Sequence, residues 1–245
     1  QDFFSEKIFV PQSSLFSSYR AQKTQKEITS IKEAQRITDT VFTEIRKDVQ
    51  PGISERDLAA KIVYEHLRRG ADKMSFDPIV ASGENSSNPH ARPTNRVFQK
   101  GDIVVIDMGC FFDGYASDMT RTVCVGEPSQ TQCNVYNTVL EAQKLAIRYV
   151  KPGIPFSEVD QVVHTLFEEN GYEAYYPHSL GHGLGLEIHE YPRISTRSEG
   201  TLKEGMVITV EPGIYLPQDF GVRIEDTVIV TKDGCQNITS SPKML

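Results

Sequence analysis

The chain has 245 residues, with 38% hydrophobic and 24% charged, which suits a soluble globular protein with a sizeable core. Twenty-six basic against 33 acidic residues leave a net charge of -7, which argues against general binding of nucleic acid, since phosphate contact wants a basic surface. No apolar run reaches the ~20 residues that span a bilayer, and the opening QDFFSEKIFV has no secretory-signal pattern.

That opening starts with Gln, which suggests a fragment or processed chain. The apolar residues of 1–22 follow no clean period, and the segment reads as a linker, or the remnant of a missing N-terminal domain; residues 23–245 read as one domain. From Thr24 to Val49, Ile28, Ile31, Ala34, Ile37, Val41, Phe42 and Ile45 recur at three- and four-residue steps, a helix. Pro51-Gly52 breaks it, and Ser54 is placed to cap the next helix, which runs to Arg69 and stops at Gly70.

The same pattern then repeats. Pro51-Gly52-Ile53 returns as Pro152-Gly153-Ile154, and Gly70 as Gly171, both at an offset of 101. A helix over 129–150 precedes the second copy. Gly101-Asp-Ile-Val-Val-Ile-Asp107 matches Gly205-Met-Val-Ile-Thr-Val-Glu211, and the stretch ending in Asp118 matches the one ending in Glu225. Each half therefore reads as two helices and a strand-rich region with acids at matching places. The implied fold class is α+β with a pseudo-two-fold axis.

Singly, each acid reads as a turn former or a solvated face. Together, Asp107, Asp118, Glu211 and Glu225 would converge between the halves, and four buried carboxylates need neutralising cations. Two divalent ions would cancel their formal charge. His182, in Gly181-His182-Gly183-Leu184-Gly185, can supply a fifth ligand. An oxygen-rich set with one imidazole suits Mn²⁺, Co²⁺ or Fe²⁺ better than a thiolate-favouring structural zinc site. His66 and His164 fall on helices and read as structural. The four cysteines form no CxxC pair, which points to a reducing, cytoplasmic setting.

The string Asp107…Asp118…His182…Glu211…Glu225, with IDMGCFFDGYASDMTRT, HSLGHGLGLEIHEYP, VEPGIY and GVRIED, resembles the dimetal "pita-bread" peptidases. These include methionine aminopeptidases, Xaa-Pro aminopeptidases and Xaa-Pro dipeptidases. The resemblance covers roughly residues 20–245. It implies the pita-bread fold, two divalent ions (Mn²⁺ first, with Co²⁺, Fe²⁺ or Zn²⁺ as alternatives) and metal-dependent peptide hydrolysis. His178 and the surroundings of Glu225 lean to the proline-specific branch, hence to short peptides with proline second; a homodimer is compatible with it.

By the same resemblance Asp107 and Glu225 bridge the ions, while Asp118, His182 and Glu211 also bind them. Glu211 shuttles a proton, His189 hydrogen-bonds the scissile carbonyl, and His90 lines the substrate pocket. His178 forms the proline-side wall, with Tyr215, Arg223 and Thr209 behind or beside it. Three functions are in play. An Xaa-Pro aminopeptidase comes first, because the metal motifs do not require a closed proline-side end. The alternative is an Xaa-Pro dipeptidase, in which Arg193 would clamp the substrate carboxylate. A non-catalytic binding module on the same fold comes last, because all five ligands are kept.

Overall fold

Two capping boxes start the first half. In the computed structural model, which describes residues 16–245, the Thr24 hydroxyl accepts from Glu27 N and the Thr24 N–H donates to the Glu27 carboxylate, opening α2 (Gln25–Ile45). A single 3-10 turn, Arg46–Asp48, carries the chain on to the Pro51-Gly52 turn. Ser54 and Asp57 form the second box, opening α3 (Glu55–Arg68) as expected. In the second half Ser129 boxes with Gln132 to open α4 (Gln130–Tyr149). The start of α5 (Phe156–Glu169) breaks the symmetry, because Pro155 stands at its cap and offers no side-chain bond.

The strands follow the same duplication. β1 (Lys73–Met74), β2 (Ile79–Ser82), β3 (Ile103–Met108), β4 (Cys110–Phe112), β5 (Tyr115–Ala116) and β6 (Met119–Cys124) belong to the first half. β7 (Gly181–Gly183), β8 (Glu190–Ile194), β9 (Val207–Val210), β10 (Gly213–Tyr215), β11 (Gly221–Arg223), β12 (Asp226–Val230) and β13 (Cys235–Asn237) belong to the second. An antiparallel sheet β2-β3-β6 answers to β7-β9-β12, the latter flanked by β8 and β13. β4-β5 and β10-β11 are the matching hairpins. The β4-β5 tip is Asp113-Gly114, with φ of 49° and 76° and Phe112 paired to Tyr115. Two positive φ values in a two-residue loop are what the strand twist requires. The hairpin returns the chain so that Met108 pairs with Met119 and Asp107 with Thr120.

Each half buries its own apolar cluster between its helix pair and its sheet. Ile37, Phe42 and Leu58 pack with Val80 and Ile106 in the first; Val139, Phe156 and Phe167 pack with Ile208 and Val228 in the second. The inner edges of the sheets meet along a polar seam. Arg121 on β6 is 1% exposed; it donates to Asp226 Oδ1 at 2.8 Å and to the carbonyls of Glu225 and Ser241. Glu225 N donates to Thr120 O at 3.1 Å, and Thr227 Oγ1 to Asp118 O at 3.0 Å. This places Asp118 and Glu225 at facing strand ends.

Residues 1–15 of the expected linker lie outside the described residues. Its remainder packs against the second half. α1 (Ser17–Ala21) buries Ala21, Gln22 bridges to Met206, and Lys23 N donates to Gly205 O at 2.8 Å. Cys110, Cys124, Cys133 and Cys235 carry free thiols. Among the described residues no helix is long and apolar enough to cross a membrane.

Candidate metal centre and substrate cavity

A cavity of about 520 Å³ opens between the halves and is lined by Asp107, Asp118, His182, Glu211 and Glu225. The first two come from the β3 and β6 ends, the other three from β7, β9 and β12. Ligand atoms of Asp118, His182 and Glu225 lie within 4.8 Å of one another. His182 Nε2 is 3.5 Å from Asp118 Oδ2 and 3.3 Å from Glu211 Oε1. Its Nδ1 is 3.0 Å from the carbonyl of Gly183. A carbonyl only accepts, so Nδ1 carries the hydrogen and a neutral ring points a lone pair from Nε2 at the carboxylates. Lone pair against lone pair is repulsive unless a proton or cation sits between them.

The carboxylates carry the same message. Asp107 Oδ2 accepts from Arg223 Nη2 at 2.7 Å, and Glu225 Oε2 from Thr120 Oγ1 at 2.7 Å. The second oxygen of each, Asp107 Oδ1 and Glu225 Oε1, is buried without a hydrogen-bond partner. Orphaned buried acceptors of this kind are rare and costly. Burial, then the charges of Asp107 and Glu211, pushes the Asp118 carboxyl well above the usual carboxylate range. Burial, then Asp118, does the same to Glu225, and burial lifts Glu211 to about 7. Divalent cations satisfy the orphaned oxygens and displace these protons, so the donor set fits the metal pair. Arg223 adds one positive charge to the four acids, so two divalent ions would leave a formal surplus of one, room for a further anion.

The remaining expected residues divide into wall and support. His90, His178, His189, Arg193 and Arg223 line the cavity. His189 packs edge-on to His182, with ring centroids 4.3 Å apart; burial, then His182, lowers its pKa below the ordinary imidazole value. His178 has both nitrogens engaged: Nδ1 donates to Ser179 O at 2.9 Å and Nε2 accepts from Tyr215 Oη at 2.9 Å. Burial holds its pKa at about 4, so the ring is a neutral wall. Tyr215, 5% exposed, stands behind His178, and its hydroxyl joins His178 to Arg223 Nη1. Thr209 accepts from His182 N and donates to Glu211 Oε1, both at 3.0 Å. Arg193 pairs with His182 across β7-β8. Its side chain lines this cavity and the neighbouring one, where its charge also acts on Asp160.

Sequence reasoning passes over Thr120, which links Glu225 to Arg223 Nε, and Glu190, which lines the cavity next to His189. The available signal for Thr120 is Met119-Thr120-Arg121-Thr122: three polar residues in a strand of buried positions must have partners.

Comparison with known proteins agrees with this geometry. The pattern of metallopeptidase family M24 matches residues 29–232. An Xaa-Pro dipeptidase of Pyrococcus horikoshii is 46% identical over 226 residues, 92% of this chain and 64% of that protein. The structure of an Xaa-Pro dipeptidase from Bacillus anthracis superposes with a TM-score of 0.95 at 45% identity, over 97% of this chain and 67% of that one. An X-Pro aminopeptidase from Thermotoga maritima gives 0.95 at 39% identity, over 99% and 69%. The chain spans just under two thirds of the length of the curated Pyrococcus relatives it matches. The expected pita-bread fold is the fold of this chain.

Proposed function

This chain belongs to metallopeptidase family M24, and on that premise we propose that it is a metal-dependent Xaa-Pro dipeptidase. The observation that carries the choice is Arg193, in register with His182 on the cavity wall. A dipeptide ends in a free carboxylate next to its proline, and a guanidinium at that wall recognises it with charge-assisted hydrogen bonds. The dipeptidase names of the Pyrococcus and Bacillus relatives support this reading over the aminopeptidase expected first.

Asp107, Asp118, His182, Glu211 and Glu225 would hold two divalent ions, Mn²⁺ by the hardness of their oxygens. Bound there, the ions supply Lewis acidity and a water of lowered pKa. Glu211 has one oxygen held by Thr209, leaving the other to take a proton and return it to the leaving imino nitrogen. His189, neutral, presents an N–H to the scissile carbonyl oxygen as charge develops there. His90 and His178 form the pocket walls, with Phe76, Ile79 and Ile188 as the apolar surface for substrate. A proline pocket gains packing where a general peptidase would miss an N–H. Four free thiols accord with a cytoplasmic setting.

The aminopeptidase has one observation of its own. A second cavity of about 450 Å³ shares His178, Ser179 and Arg193 with the first, which gives room beyond the proline. Assaying Xaa-Pro against Xaa-Pro-Yaa peptides with added Mn²⁺ decides between them. The dipeptidase predicts at least tenfold higher kcat/KM on the dipeptide, and equal or better tripeptide cleavage would return the choice to the aminopeptidase.

A further inference from the structure

Glu190 follows His189 directly and lines the cavity, yet its carboxylate is engaged behind the wall. Its side chain is 4% exposed, and Oε2 accepts from Lys23 Nζ at 3.0 Å. Oε1 accepts from Glu187 N at 3.1 Å and from the guanidinium of Arg20. The Lys23 ammonium, on a side chain 2% exposed, also donates to Arg20 O at 2.5 Å. Lys23 is itself anchored, through its N–H to Gly205 O at 2.8 Å.

The turn between Leu184 and Glu190 closes onto this pair. A Cβ added at Gly185 would stand 2.7 Å from Lys23 Cε and 3.0 Å from Glu190 Oε2, so a larger residue there would have to displace the pair. Gly185 N donates to Glu187 O at 3.0 Å, and Gly185 O accepts from Ala116 N at 2.8 Å. The base of the turn is thus fixed, while its far end carries Ile188 and His189 into the cavity. What aims the imidazole is its contact with His182 and the backbone on which it hangs.

We propose that Lys23, assisted by Arg20, is a positioning residue for His189, acting through Glu190. The inference rests on the reading of His189 as the donor to the scissile carbonyl. A buried ion pair contributes little net stability once desolvation is counted. What it does provide is direction, because an ammonium with a fixed backbone defines where Glu190, and therefore the next residue, must lie. A displacement of about 1 Å in a catalytic group costs on the order of 10²-fold.

The test is a double-mutant cycle on the full chain loaded with Mn²⁺, reading kcat, KM, bound metal and Tm. Lys23→Met is expected to lower kcat about ten- to a hundredfold, with KM and metal content kept, and Lys23→Arg to restore most of the loss. In the His189→Ala background, Lys23→Met should remove less than about twofold more. Losses that multiply in the double variant overturn the proposal, as does full kcat in Lys23→Met or loss of metal from it. Should Lys23→Met not fold, Glu190→Gln keeps the side-chain shape and runs the same cycle. Full activity in His189→Ala alone is a different result: it refutes the role of His189, the premise, whatever Lys23 does.

Discussion

His182 Nε2 and Asp118 Oδ2 approach to 3.5 Å from opposite halves of the molecule, one an aromatic lone pair and the other a carboxylate. The contact makes sense with a cation between them. A metal that binds only the folded chain stabilises it by about 2.7 kcal/mol at a hundred times its Kd. For a domain of this size that is about 5–10 °C in Tm. Thermal melts of chelator-treated protein should therefore rise by that much when Mn²⁺ is restored, and His182→Ala should abolish the rise. An identical Tm with and without metal would show that the cavity holds no metal centre.

His189→Ala should keep the fold and both ions, since the ring packs against His182 without being needed to hold the carboxylates. The expected loss is about 10²–10³ in kcat, the usual effect of removing one donor to a developing oxyanion. Steady-state kinetics beside a metal assay checks both halves of the statement. Depleted metal would show that the residue belongs to the centre itself.

Arg193→Ala should weaken Xaa-Pro cleavage and spare Xaa-Pro-Yaa tripeptides. The lost charge-assisted hydrogen bond is worth about 1.5–3 kcal/mol, or roughly ten- to a hundredfold in kcat/KM. Equal losses on both substrates would assign Arg193 to the architecture of the sheet, where it pairs with His182.

His66 gives the chain an acid-sensitive point that does not line the cavity. Its ring is fully buried on α3, donating from Nδ1 to Ile62 O at 2.9 Å with Nε2 3.2 Å from Thr38 Oγ1. Burial depresses its pKa from 6.5 to about 4. Between those values the unfolded chain binds the proton and the folded chain does not, so stability rises with pH. The contribution is fully present above pH 6.5 and is lost as pH falls to about 4; its size is at most about 3 kcal/mol. Urea unfolding of wild type and His66→Gln across this range should give curves that converge toward low pH. Parallel curves would contradict the assignment.

The four acids are legible in the sequence because Asp107 and Glu211 each close an apolar run, and Asp118 and Glu225 fall at matching places in the repeat. The repeat was legible because Gly52 and Gly153 mark the same turn, with φ of 100° and 85°. What stayed hidden depends on separation in the chain. Lys23 and Glu190 are 167 residues apart, and Thr120 and Glu225 are 105 apart. Nothing local distinguishes that lysine from a solvated one. The sequence leaves Tyr215 behind or beside His178; only the fold shows His178 standing in front of it. The short helix over residues 17–21 is hidden for a related reason. A five-residue helix has too few apolar positions to show a period, and α1 is held by contacts with the second half.

Two of the five candidate ligands come from the first half and three from the second, so neither half alone owns a complete set. The ions would therefore act as rivets across the seam that Arg121 closes. Damage along that seam, however distant from the chemistry, would surface as a protein that lets go of its metal. Scarcity of metal, in turn, would surface as two lobes drifting apart. Proteolytic sensitivity and metal affinity in this chain would then rise and fall as a single property.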